Sequence, residues 1–278
     1  MTTRHSNVAD TWTPADFGEL LNKAIQAKST AFAATTLHTT DKVKVNFPLW
    51  NADPAVSWLA ELEEITATDG STGEVSVTPS KVGGITRLSN EITDDSDPAI
   101  ADQAAAGLAN QIAHAIDTAF LGDGTTGGAA AKTPDGLLSV ASQSVDTGAS
   151  ITNLDPFVEA IFAALSVGAT VTAWIMAPAT AEALSKLKKA TGSNEPLLEL
   201  VKDGMTIAGI PVLTNPNVDA ETFAWGIDAS RTITVLRKGT EVKRFDAVNV
   251  DAIDVRAIAR VGFAFLHPES IIRLHDAE

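Results

Sequence analysis

The chain has 278 residues, 45% of them apolar and 20% charged, enough to bury a substantial core and too hydrophobic for global disorder. Its 20 Lys plus Arg against 35 Asp plus Glu give a formal charge of −15, which argues against a free-standing nucleic-acid binder with a basic stripe. Cysteine and tyrosine are both absent, which excludes disulfides, thiolate metal sites, cysteine nucleophiles and phenolic acids.

The charge is local. Residues 45–131 hold only Lys81 and Arg87 against thirteen acids, net −11, whereas residues 1–44 sum to +1, residues 132–181 to −3 and residues 182–278 to −2. Met1 to Asp10 has no apolar run of the kind a cleaved secretory signal needs. Thr13-Pro14 with Asp16 predicts a helix start, and Phe17, Leu20, Leu21, Ala24 and Ile25 then recur at helical spacing. Such a helix either packs on its own domain or serves as an arm that docks on a neighbouring subunit.

Lys42 to Leu49 alternates like a strand, and Glu74 to Thr78 alternates again. Between them lie Trp50, Trp58, the acids Glu61, Glu63 and Glu64, and a turn signal at Asp69-Gly70. The expected geometry is an elongated hairpin with too little apolar content for its own core. Its acids either form a solvated face or pair with basic groups on a partner chain.

Asp97-Pro98 predicts the start of a long helix, with Ile100, Ala104, Leu108, Ile112, Ile116 and Phe120 in one stripe and Gly122 as its stop. A second helix is expected from Asp155-Pro156 through Phe157, Ile161 and Leu165, and a third from Pro178 to Ala190. Strands are expected at Val171–Met176, Thr206–Leu213, Phe223–Ile227 and Thr232–Arg237, the last closed by a Lys238-Gly239 turn. The clearest period of two runs through Ile253, Val255, Ala257, Ala259, Val261 and Phe263. Ala160 to Ala181 lacks charge but is broken by Ser166, Gly168, Thr170, Thr172, Pro178 and Thr180, so it reads as helix, turn, strand and helix start rather than a membrane span.

Catalytic signals are thin. Gly122, Gly124 and Gly127 match G-x-G-x-x-G, but that motif holds a pyrophosphate only after a strand and before a helix, and here it follows a helix. The histidines His5, His38, His114, His267 and His275 show no compact metal spacing. Asp94, Asp95 and Asp97 lack the Gly and terminal Glu of an EF-hand loop. No catalytic residue, cofactor or metal site is expected, and the chain does not read as an enzyme.

The order of segments resembles the tailed-bacteriophage major capsid protein family with the Hong Kong 97-type fold, over about Trp50 to His275. Trp58 to Glu64 and the return Val77-Thr78-Pro79-Ser80-Lys81-Val82 look like the family's extended loop. Arg87-Leu88-Ser89-Asn90-Glu91-Ile92 with Asp95-Ser96 is similar to its approach to the spine helix. Phe120-Leu121-Gly122-Asp123-Gly124 and Pro134-Asp135-Gly136-Leu137-Leu138 look like its loop after the spine. Trp174-Ile175-Met176-Ala177-Pro178-Ala179-Thr180, the Gly209-Ile210-Pro211-Val212 step and Arg256 to Leu266 complete the likeness.

The resemblance implies an α+β fold: a Hong Kong 97-like capsid fold with an axial domain, a peripheral domain with a long spine helix, an extended loop and an N-terminal arm. Residues 1–44 would form the arm, 45–82 the extended loop, 83–135 the peripheral domain with the spine, 136–230 mainly the axial domain and 231–278 the return strands. It implies pentamers and hexamers closing into an icosahedral shell around double-stranded DNA held by weak non-specific contact. Scaffolding, portal and decoration proteins are the further expected partners, with the virion capsid and, during assembly, the host cytoplasm as the location. Expected assembly contacts are Trp50, Trp58, Glu61, Glu63 and Glu64 on the loop, and Arg237, Lys238, Lys243 and Arg244 as basic partners.

Two departures matter. Some relatives fuse subunits through a loop lysine, but residues 51–80 contain none, so no covalent cross-linking is expected. Only some forty residues precede the loop, so a scaffold would be a separate protein or a segment removed earlier. An encapsulin-type compartment shell is the alternative on the same fold.

Overall fold

One long strand organises half of the molecule. In the computed structural model, which describes residues 25–62, 64–91, 99–124, 132–188, 200–201, 204–247 and 249–277, the period-two run forms β13, Ala252–Phe265. Its Val255, Ala257, Ala259, Val261 and Phe263 are buried, while Asp254, Arg256, Ile258 and Arg260 alternate onto the opposite face. One edge of β13 pairs antiparallel with β4 (Ser80–Ser89) over Ala252–Val261. The other edge takes two strands end to end, β11 (Thr232–Arg237) and then β12 (Glu241–Ala247), both antiparallel to β13. β1 (Thr36–Thr40) adds in parallel beside β11.

β11 ends at the Lys238-Gly239 signal, as the sequence predicts. Both residues have positive φ, 59° and 68°, but they make a jog between two strands that continue along the same edge.

Against the buried face of this sheet lies a helix, Ala99–Leu121, about 35 Å long at 1.5 Å per residue. This long helix is α2; of the shorter helices, α1 is Thr30–Ala34, α3 is Asp155–Ser166 and α4 is Pro178–Ser185. The expected stripe of α2 is the buried one: Ile112, Ile116 and Phe120 join Ala257, Ala259, Val261 and Phe263 in one apolar core. The expected cap at Asp97-Pro98 lies outside the described residues. Beyond Leu121 the chain folds back so that Gly136 sits against the helix end. A Cβ there would come within 2.2 Å of the Ala119 carbonyl oxygen and 2.4 Å of that of Gly122.

The hairpin consists of β2 (Val45–Ala52) and β3 (Ser71–Val77), in register from Val45↔Val77 to Trp50↔Thr72. Its base packs through Val45, Phe47, Val75 and Val77 onto Val235, Ala264 and their neighbours. Asp69-Gly70 is not its turn. The arms separate at Ala52, and the described residues of 53–70 form an irregular loop. Pro54 offers no N–H to a ladder, and the residue before it is held extended, so pairing stops there. Gly70 instead lets the Trp50 indole close over the chain, since a Cβ would lie 2.3 Å from the ring.

The second sheet has seven strands in the order β5-β14-β10-β6-β9-β8-β7, where β5 is Gln143–Asp146, β6 Ala173–Met176, β7 Leu200–Val201, β8 Gly204–Ile207, β9 Ile210–Thr214, β10 Thr222–Ile227 and β14 Ile272–His275. One face, with Ala173, Ile175, Trp225 and Ile227, shares the core of α2. The other, with Trp174, Met176, Ala224, Ile272 and Leu274, is covered by α3 and α4. Phe157 meets Trp174 edge-on, ring centroids 5.1 Å apart.

Three expectations shift here. The inward side of α3 is Phe157, Ala160 and Ala164, whose small alanines let the helix approach the sheet, and Leu165 points outward. α4 stops at Ser185 rather than Ala190, with Leu187 packed against the core below it. Thr206–Leu213 is not one strand but the hairpin β8–β9, turned by Ala208 and Gly209 at φ 53° and 80°, the two left-handed positions of a type I′ turn. Among the described residues, no helix is long and apolar enough to cross a membrane.

Candidate functional site

The residues singled out from the sequence fall at two places. Trp50 lies on β2 at the neck of the loop, half of its surface exposed, and Trp58, Glu61 and Glu64 are exposed within residues 53–70. Glu63 lies outside the described residues. Trp58 and Leu62 are fully exposed, and Val56 and Ile65 nearly so. Such apolar side chains gathered on one acidic loop form an exposed apolar patch, which is uncommon on an isolated soluble chain.

The basic candidates divide. Arg237 ends β11, where its Nε donates to the Asp41 carbonyl at 3.3 Å, and the Lys238 backbone N–H donates to the Thr40 carbonyl at 3.0 Å. These two residues secure β1 to β11. Lys243 lies on β12, 2.5 Å from Glu241, and Arg244 follows it in the same strand.

A polar centre that the sequence reading missed joins three distant segments. Asp117 projects from α2 into the protein, nearly fully buried, and its carboxylate accepts from Ser29 Oγ at 2.5 Å, the Ala31 N–H at 3.1 Å, the Thr30 N–H at 3.1 Å and Asn215 Nδ2 at 2.9 Å. It thereby caps α1 from another helix and ties the segment at 29–31 and the end of β9 to α2. A signal was present: between Asp102 and Asp123, Asp117 is the sole charged residue in the sequence.

A second buried carboxylate, Asp228, follows β10. It accepts from the Thr170 N–H at 3.1 Å, and from the Ser230 N–H and hydroxyl at 2.9 and 2.6 Å. Burial alone pushes its pKa up, but the hydrogen bonds from Ser230 and Thr170 and the nearby Arg231 outweigh that and hold it below the ordinary carboxylate value. Arg231 also donates to the Val167 and Gly168 carbonyls at 3.2 and 2.5 Å, just past the C-terminal end of α3, where a cation is favoured.

Ser144 Oγ and His275 Nε2 lie 2.6 Å apart, a contact that in isolation suggests a nucleophile and base. The other ring nitrogen, Nδ1, faces the Asp276 carbonyl oxygen at 2.8 Å, not a carboxylate. Asp146 accepts instead from the backbone N–H groups of Gly148 and Ala277, which lower its pKa. The group stitches the parallel pair β5–β14. Among the described residues, no cluster of His, Asp and Glu has the arrangement of a metal site.

The layout is thus a long helix on a sheet, a second sheet sharing its core, and a projecting hairpin with an exposed loop. The phage capsid family model matches residues 11–276. The chain belongs to the phage capsid family. Solved structures agree in fold. The capsid of a native GTA particle, computed with C5 symmetry, is 19% identical with a TM-score of 0.71, covering 90% of this chain and 91% of that one. A Mycobacterium phage Bobi chain is 16% identical with a TM-score of 0.72, covering 100% and 96%. A Microbacterium phage Oxtober96 chain is 15% identical with a TM-score of 0.74, covering 90% and 91%. No curated protein sequence matches the chain. Among the described residues of this member of the phage capsid family, the loop after β2 carries the most exposed large apolar side chains, Trp58 and Leu62.

Proposed function

We propose that the chain is a major capsid protein that assembles through pentamers and hexamers into an icosahedral shell around double-stranded DNA. The observation that carries this reading is the loop at 53–70. It displays Trp58 and Leu62 fully to solvent on a hairpin whose base alone is anchored in the subunit, in a chain of the phage capsid family. Trp50, Trp58, Glu61, Glu63 and Glu64 form the contact offered to a neighbour, with Lys238, Lys243 and the adjoining Arg237 and Arg244 as basic counterparts. The GTA capsid of similar fold was computed with C5 symmetry, in keeping with a pentamer.

In this reading residues 1–44 are the arm, 45–82 the extended loop, 83–135 the peripheral domain carrying the spine helix, 136–230 mainly the axial domain, and 231–278 the return strands. The net charge of −15 suits a container whose lining touches DNA weakly, because many tight phosphate contacts would resist packaging and release. Scaffolding, portal and decoration proteins complete the partner set, and the product resides in the virion after assembly in the host cytoplasm. The family match favours the phage shell over an encapsulin.

Electron microscopy of the purified chain is the test. Closed icosahedral particles that protect DNA when formed in infected cells are expected. Monomers that never assemble would overturn the proposal, and small shells filled with an enzyme would select the encapsulin alternative.

A further inference from the structure

α2 does not fill the space over the free edge of its sheet. Its inward stripe of Ile112, Ile116 and Phe120 packs into the core with β13, but Ala115 and Ala119 beside that stripe carry only methyl groups. Near Gly84 the helix closes on β4, where a Cβ would lie 3.1 Å from the Leu108 side chain. Toward Ser80 the two elements part. The gap between them is a cavity of about 150 Å³, walled by Val82, Ala115, Ile116, Ala119, Val261 and Phe263.

The polar part of the lining is small and of one sign. Ser80 is half-buried, and the Thr133 hydroxyl is already donated to the Gly124 carbonyl at 2.8 Å. The charged members are Lys81 of β4 and Lys132 of the chain returning from α2, both exposed. Among the described residues, neither lysine makes an ion pair within the subunit. No acid lines the cavity, although the chain carries a charge of −15.

We propose that this cavity binds a small apolar carboxylate, with a single ring or short alkyl chain against the walls and the carboxylate held by Lys81 and Lys132. Apolar walls of this extent give a water few partners, and dry cavities of similar size accept a molecule as large as benzene. A carboxylate beside two ammonium groups gains charge-assisted hydrogen bonds that an alcohol does not. A neutral amphiphile would fill the walls and leave both cations unanswered. A phosphate or a nucleic-acid strand would meet the cations and put nothing between α2 and β4. Every group of the site belongs to one subunit, so binding does not depend on assembly. The occupant would touch α2, β4, β13 and the returning chain together, which ties the free edge of the sheet to the helix.

Titration calorimetry of the full, unassembled chain with octanoate, and with 1-octanol as its neutral counterpart, tests this. Saturation at a single octanoate per chain is expected, at least about tenfold tighter than octanol, with a melting temperature that rises with octanoate concentration. K81Q/K132Q, altered at exposed positions, should lose about tenfold in octanoate affinity and keep its octanol affinity. A119L places a side chain in the cavity and should abolish binding of both. If A119L fails to fold by circular dichroism, A115V takes its place. The absence of saturable octanoate binding overturns the proposal, as does equal affinity for octanoate and octanol. Full octanoate binding to a folded A119L chain overturns it too. So does a chain that ignores octanoate while its folded A119L variant no longer forms particles, which would make the cavity the seat of a neighbour's side chain.

Discussion

Ser29 Oγ donates to the Asp117 carboxylate at 2.5 Å across 88 residues of sequence, and both groups are buried. The bond belongs to a four-donor set that fixes where the chain enters the fold. Replacing Asp117 with Ala would strand the Ser29 hydroxyl and two backbone N–H groups and leave the Asn215 amide only its bond to Thr30 Oγ1. A loss of about 3 kcal/mol is expected, with a smaller loss for Asp117→Asn, which keeps one acceptor. Thermal denaturation measures the loss, and limited proteolysis should cut first near residues 29–35.

Trp58→Ala with Leu62→Ala removes two fully exposed side chains, so the melting temperature of the unassembled subunit should stay unchanged. Particle yield should fall at least about tenfold, because in the proposed shell a neighbour covers these apolar groups. A drop in subunit stability comparable to the drop in yield would place their role inside the fold.

Gly136→Ala should destabilise by at least about 2 kcal/mol. Its Cβ would collide with the backbone carbonyls of Ala119, Phe120 and Gly122, which terminate α2 and have little room to move. Urea unfolding of Gly136→Ala, with Gly107→Ala as a control in open space, separates collision from simple loss of glycine.

Asp228 makes stability acid-sensitive. Its folded pKa is lowered, so its contribution is present above the ordinary carboxylate value of 3.8 and disappears as pH falls through the folded value. Asp228→Asn should be less stable than wild type at pH 7, and the gap should narrow below about pH 4. Melting curves of the two proteins from pH 7 to pH 3 check the direction.

Assembled shells boiled in detergent should run as a single monomer band. The chain has no cysteine, and residues 45–80 have no lysine to bond a neighbour's side chain. A ladder of multimers would reveal a cross-link from elsewhere.

Elements stabilised by their own periodicity were legible before the structure. The alternation from Ile253 to Phe263 marks one buried face of one strand, and Ile112, Ile116 and Phe120 mark the stripe of α2. Punctuation was harder to read. Ala208 adopts positive φ although alanine gives no hint of it, and Lys238-Gly239 ends β11 where expected without saying which strand β13 pairs with next. The irregular loop was legible in its acids and tryptophans but not in its extent, since Asp69-Gly70 offered a ready turn that Trp50 occupies instead. Asp117 was hidden for another reason: its partners lie 86 to 98 residues away in sequence.

β13 also has a mechanical consequence. It is paired along both edges, and the same chain continues through Pro268–Ser270 into β14 in the seven-stranded sheet. Its hydrogen bonds run perpendicular to its axis. Tension pulling the two sheets apart is therefore directed along β13 and loads those bonds in shear, many together, instead of peeling them one by one. A shell wall made of such subunits would yield first at the contacts between them, leaving each subunit intact.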